Sequence, residues 1–119
     1  MGLTPDDFLW KNRILIYSGV GDISSWKSIS LQDEIADRRL LYFHFKKNEL
    51  ETTNCKQSID TVSFIKKLNL NSSTQEKWIL IGLDGGVKNS GKTVPQPSEI
   101  FGLIDAMPMR QSEIRKSGN

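Results

Sequence analysis

Apolar residues fall in short continuous blocks separated by polar, glycine-bearing stretches, and the spacing within each block predicts an element. Residues 13–17 (RILIY) form an apolar run bounded by Asn12 and by Ser18-Gly19-Val20-Gly21-Asp22, which reads as a buried strand. From Ser24 to Asp37 the apolar positions Trp26, Ile29, Ile35 and Ala36 recur at helical spacing, with Asp22 or Ser24 as the N-cap. Residues 40–45 (LLYFHF) are aromatic-rich and predict a second strand, after which residues 46–53 turn polar and read as a loop. Ile59, Val62, Ile65 and Leu68 fall every three residues beside Phe64, the stripe of an amphipathic helix capped near Ser58 and ending within 69–73. Residues 78–81 (WILI) make a third strand. Gly82-Leu83-Asp84-Gly85-Gly86 then gives a tight turn, and residues 87–89 return as a fourth, antiparallel strand. A last helix opens at Pro97, carries Ile100, Phe101, Ile104 and Met107 on one face, and is stopped by Pro108.

The resulting order is β-α-β-α-β-β-α. A right-handed crossover makes the first two strands parallel, and the hairpin makes the last two antiparallel. The runs ILIY and WILI are apolar at every position, which requires helices on both faces of the sheet. This α/β order resembles the thioredoxin-like arrangement: a single domain over residues 1–119 with a mixed four-stranded sheet in spatial order 2-1-3-4. Residues 111–119 are expected as a frayed C-terminal tail. A ferredoxin-like order does not match, and a flavodoxin-like sheet needs a fifth parallel strand that the chain is too short to supply.

At 119 residues and 37% hydrophobic, the chain is long enough for one core and has ordinary globular composition. Its formal charge is +2, and the last ten residues hold Arg110, Arg115 and Lys116 against Glu113, so the remainder is balanced. That removes the concentrated basic face that nucleic-acid binding needs. No run spans a bilayer. Residues 1–10 carry Asp6 and Asp7 and no basic-then-apolar run, so no secretory signal is expected and the cytoplasm is the address as the chain stands; a removed leader would leave the same appearance. The single cysteine, Cys55, allows neither an intrachain disulfide nor a CxxC pair nor a Cys-ligated zinc. His44 is likewise the single histidine, which removes metal clusters and a nucleophile triad and leaves a satisfied or exposed strand histidine.

Four stretches carry a family likeness: Trp10-Lys11-Asn12-Arg13, Asp37-Arg38-Arg39-Leu40, Leu80-Ile81-Gly82 with Asp84-Gly85-Gly86-Val87-Lys88, and Ile104-Asp105-Ala106-Met107-Pro108-Met109-Arg110. Together they resemble the DUF4174 family, a thioredoxin-like domain of unassigned function found in bacterial proteins and as a module of some extracellular-matrix proteins. The resemblance implies the fold more than an activity. Thioredoxins place their redox pair at the start of the helix after the first strand, where backbone amides lower a thiol pKa. Here that place reads Gly19-Val20-Gly21-Asp22-Ile23-Ser24-Ser25, without sulfur, and the segment before the third strand, Ser73-Thr74-Gln75-Glu76-Lys77, lacks the proline that redox members keep there.

Two further motifs bear on nucleotide binding. Gly86-Val87-Lys88-Asn89-Ser90-Gly91-Lys92-Thr93 satisfies GxxxxGK[ST], but a P-loop needs a helix beginning at its Lys, and Pro95 and Pro97 come at once after it. Gly19-Val20-Gly21 imitates part of a dinucleotide fingerprint, yet Ser24 replaces the third glycine and Asp22 would face the pyrophosphate. Free amides after Gly21 remain open as a small-anion site. The candidate binding residues are therefore Arg13, Lys88, Asp84, Asp105 and Arg110, either converging on an anionic ligand or acidic partner or paired with one another. Trp10, Gly82, Gly85, Gly86, Met107, Pro108 and Met109 form the structural motif around them. No catalytic residue, metal or cofactor is expected. The expected function is a non-redox binding module for another protein; the alternatives are a thiol-dependent, peroxiredoxin-like enzyme using Cys55, or nucleotide binding through Gly86 to Thr93.

Overall fold

The computed structural model of the chain describes residues 2–72 and 75–118. Ser73 and Thr74, in the segment before the third expected strand, and the last residue of the expected tail lie outside the described residues. In chain order the regular elements are β1 (Arg13–Ser18), α1 (Gln32–Asp37), β2 (Leu40–Lys46), β3 (Glu49–Thr53), α2 (Thr61–Leu68), β4 (Lys77–Ile81), β5 (Val87–Gly91), α3 (Pro97–Asp105) and α4 (Pro108–Gly118). They build one five-stranded sheet in the order β3-β2-β1-β4-β5. β1 runs parallel to β2, with Arg13 opposite Leu40, and antiparallel to β4, with Ile14 opposite Ile81. The expected order of four strands stands inside this sheet, extended by one edge strand.

Alternation along β1 divides its side chains between two cores. Leu15 and Tyr17 join Trp26, Ile35, Trp78, Leu80, Ile100 and Ile104 beneath α1 and α3. Ile14 and Ile16 join Phe8, Phe43, Phe45, Phe64 and Leu68 beneath α2. All six β1 residues are buried, which is why the strand reads as continuously apolar rather than alternating.

Four expectations are corrected. The stretch 46–53 is a hairpin and not a loop: Lys47 and Asn48 take left-handed backbone (φ 52° and 65°), the geometry of a two-residue hairpin turn, and β3 pairs antiparallel with β2. The expected helix over 24–37 is two 3-10 turns, Ser24–Lys27 and Ile29–Leu31, followed by the short α1. Trp26 is drawn into the core, its Nε1 donating to the Pro95 carbonyl at 2.9 Å, and extended backbone at Ser28 then leaves Ile29 91% exposed. α2 is N-capped at Asp60 and buries Phe64 and Leu68, an i,i+4 pair, while Val62 faces solvent. Finally, Pro108 starts α4 instead of ending the fold, so residues expected as a tail are helix through Gly118. Proline at a first helical position loses no hydrogen bond, so the same residue that ends α3 opens its successor.

Candidate functional site

The sheet has two ends: an upper end where β1 and β2 finish, and a lower end where they start. The upper end carries the Gly19–Ser24 segment, where a thioredoxin would hold its redox pair. The Tyr17 hydroxyl closes that loop, donating to the Glu76 carboxylate and accepting the Gly21 N–H at 3.1 Å. Burial, then the bond to Glu76, pushes the Tyr17 phenol up to about 12, so it stays a donor throughout the neutral range. His44 stacks on the Tyr17 ring at 4.9 Å and its Nε2–H donates to the Gly19 carbonyl at 2.8 Å, the satisfied strand histidine expected. Asp22 accepts the Ser24 N–H at 2.8 Å, which holds its carboxyl below the ordinary range. Of the amides after Gly21 that stood open as a small-anion site, that of Ser24 is taken by Asp22, and the next element is a four-residue 3-10 turn without a helix N-terminus of useful length.

The lower end gathers the candidate residues. Arg13 opens β1 with 1% of its surface exposed; its Nη1 and Nη2 grip Glu113 of α4 at 3.3 and 3.0 Å, and Nη1 also meets the Arg38 carbonyl at 3.0 Å. Its Nε is buried without a partner among the described residues. Arg110, also buried, donates to Asp105 (3.1 Å) and to the side chain (2.7 Å) and carbonyl (3.1 Å) of Asp37. Arg38 completes the network, bidentate on Asp105 at 3.1 and 2.8 Å and stacked 4.4 Å from the Phe101 centroid. Burial opposes the charge on Asp105, but Arg38 and Arg110 outweigh it and hold its carboxyl below the ordinary range. The same balance lowers Glu113, whose surroundings include Arg13, Arg39 and Arg110. Burial likewise works against the charge on Arg110, and Asp37 and Asp105 overcome it and raise its pKa.

Lys88 and Asp84 stand apart from this network as a clasp across the β4–β5 turn. Asp84 accepts from Lys88 Nζ at 2.9 Å and from the Gly86 N–H at 3.0 Å, which lowers its pKa, and Gly85 supplies the left-handed φ of 86°. The pairing of Arg13 and Arg110 that the sequence left open therefore runs to Glu113, Asp37 and Asp105, with Asp84 reserved for the turn. Arg13, Asp84 and Lys88 nevertheless share the walls of one cavity of about 210 Å³ with Gly82, Met107, Pro108 and Met109. Of the expected structural motif, Gly82, Met107, Pro108 and Met109 line this cavity, while Trp10, Gly85 and Gly86 do not. Arg38, Asp37 and Glu113 were not among the candidates; their partners lie 67, 73 and 100 positions away in sequence, so no local spacing could have paired them.

Beside this cavity lies an open groove of about 610 Å³, lined by Trp10, Leu83 and Met109 and by the charged residues Asp37, Arg39, Arg110 and Glu113. Trp10 is 61% exposed and held at φ 64°, a conformation uncommon for a bulky residue, while its N–H donates to the Leu83 carbonyl at 2.8 Å. Cys55 is half-buried and also at the lower end, following Asn54, whose side chain bonds the Tyr42 N–H and the Leu40 carbonyl; its thiol donates to Gln57 O at 3.5 Å. Within the GxxxxGK[ST] stretch, residues 87–91 are strand β5, and α3 begins only at Pro97, so Lys92 and Thr93 open no helix. Among the described residues no group of three or more His, Cys, Asp or Glu is placed to hold a metal ion, and no helix is long and apolar enough to cross a membrane.

A mixed sheet ordered β2-β1-β4-β5 at its centre, with helices on both faces and the loop after β1 at its upper end, defines a thioredoxin-like domain. The crystal structure of a reduced 2-Cys peroxiredoxin from Plasmodium vivax superposes with a TM-score of 0.59 over 93% of this chain and 91% of that one, at 13% identity, a likeness of fold. The sequence profile of DUF4174, a domain of unknown function, matches residues 4–113, and the chain belongs to that family. No curated protein matches it.

Proposed function

We propose that this domain is a binding module without catalysis of its own, and that it takes a segment of another protein in the groove of Trp10, Leu83 and Met109. The observation that carries this reading is Trp10. A large aromatic ring stands mostly in solvent on a backbone conformation that costs about 1–3 kcal/mol for a non-glycine residue, and no burial of that ring offsets the strain. Tryptophan anchors are the commonest centres of binding energy at protein interfaces, and the neighbouring Leu83 and Met109 extend an adaptable apolar surface. Asp37 and Arg39 at the rim supply polar contacts of both signs. The occurrence of the resembling family in matrix proteins supports the same reading by analogy.

The test is selection of a random peptide library on the purified domain. Enriched peptides should lose at least ten-fold in affinity against Trp10→Ala and keep their affinity for Val62→Ala, an exposed apolar residue elsewhere. Peptides that bind Trp10→Ala as well as the unmodified chain would refute the reading, as would peroxide or insulin-disulfide turnover abolished by Cys55→Ser.

A further inference from the structure

α4 is an unusual wall for such a groove. Of its side chains through Arg115, only Arg110 is buried and only Glu113 half-buried, while Met109 and Ile114 face solvent. The helix therefore docks through polar contacts, the ion pairs of Arg110 and Glu113 one turn apart and a Gln111 Nε2 hydrogen bond to the Asp105 carbonyl at 2.6 Å, and brings no apolar stripe to the domain through Arg115. At eleven residues it is also shorter than helices that persist alone in water. Ion pairs are the main grip, and their partners are partly wet: Asp37 is 65% exposed and Asp105 37%.

Glu113 is gripped in turn by more cation than it neutralises. Arg13 holds it with both terminal nitrogens, Arg110 approaches at 3.5 Å, and the Arg39 charge also acts on it. Even so, the docked state leaves Arg13 Nε dry and without an acceptor among the described residues, an unspent donor on the guanidinium edge that carboxylates commonly take side-on. Leaving a buried donor unmade penalises the docked arrangement. An incoming carboxylate meeting Nε and Nη2 would remove that penalty.

We propose that α4 is a displaceable strap, and that Glu113 is the resident occupant of a carboxylate-binding fork on Arg13 which an acidic side chain of a partner segment takes over. This rests on the groove being the binding site, and it specifies the partner: an acidic peptide carrying an apolar residue to lie against Trp10 and Leu83. Binding and release of α4 are then one equilibrium, since a ligand favours the state for which it has the greater affinity.

Hydrogen exchange on the intact chain at pH 7 tests the strap. Glu113→Gln should speed exchange of the 109–115 amides at least five-fold while β1 amides keep their protection, and 0.5 M salt should move the unmodified chain in the same direction. The salt series needs no substitution, so the test survives a variant that folds poorly. A pentapeptide amide, acetyl-Ala-Glu-Leu-Glu-Ala, should bind Glu113→Gln at least five-fold more tightly than the unmodified chain, whereas its Gln-for-Glu counterpart should bind both alike. Exchange of α4 only in step with β1 would overturn the strap. Equal binding of the acidic peptide to both chains would overturn the fork. Trp10→Ala removes no charge and should leave α4 exchange unchanged, so it reports on the groove separately.

Discussion

Asp105 at the end of α3 receives three charge-assisted hydrogen bonds, two from Arg38 and one from Arg110, and Asp105→Ala removes all three. Stripping the partner from a buried ion costs about 3–5 kcal/mol when the remaining charge is left bare. Neither cation is left bare here. Arg38 keeps the Glu34 carbonyl at 3.0 Å and the Phe101 ring, and Arg110 keeps the Asp37 carboxylate at 2.7 Å. Asp105 is itself 37% exposed, so water already screens part of its interaction. The expected loss is therefore about 2 kcal/mol, or roughly 6–10 °C in melting temperature for a domain of this size. Thermal unfolding by circular dichroism at pH 7 measures it, and repetition at lower pH adds a check on sign. The folded Asp105 pKa lies below its ordinary value, so the stabilisation is fully present above that value and is lost as pH falls through the folded pKa. The gap between variant and unmodified chain should hold from neutrality down to the ordinary aspartate range and narrow only as pH falls below it. A drop under 1 °C at pH 7, or a gap independent of pH, would refute the idea that this network pins α3 to the α1–β2 turn and to α4.

Tyr17→Phe should destabilise the domain by about 1–2 kcal/mol in urea, because the Gly21 N–H and Glu76 both lose their partner. In the unmodified chain both tyrosines, Tyr17 and Tyr42, should ionise above 10 by absorbance at 295 nm, the direction in which burial moves each; one titrating at the ordinary value would contradict the packing. Gly85→Ala should cost roughly 1–2 kcal/mol, since φ is 86° there and an added Cβ would lie 2.5 Å from Leu9 Cδ2. Calorimetry with ATP and magnesium should give no binding heat, because Lys92 follows a strand instead of opening a helix; heat abolished by Lys92→Ala would contradict that geometry.

The parts of the fold that are legible in the sequence are those whose burial is written in neighbouring residues. β1, β2, β4 and α3 present continuous apolar runs or a regular stripe, and each appears where those patterns place it. β3 escapes such a reading because an edge strand with the sequence ELETT buries neither face, leaving no period-two signal, and its turn uses Lys47-Asn48 instead of a glycine pair. The helix expected after β1 fails because the demand of one side chain, Trp26 reaching Pro95, overrides a spacing that would have buried Ile29. At the candidate site, the sequence supplies Arg13, Asp105 and Arg110 as residues in want of an explanation. It cannot supply Asp37, Arg38 or Glu113, whose meaning comes from pairings that only the folded chain creates.

On the proposed reading the working surface lies at the lower end of the sheet, and the loop after β1 is closed on itself. Amide and indole shift mapping by nuclear magnetic resonance, with a library-selected peptide titrated into the labelled domain, tests that placement directly. Perturbations concentrated at the Trp10 indole, Leu83, Met109 and Arg39 are the predicted result. Perturbations centred on Gly19–Ser24 and His44 would contradict it.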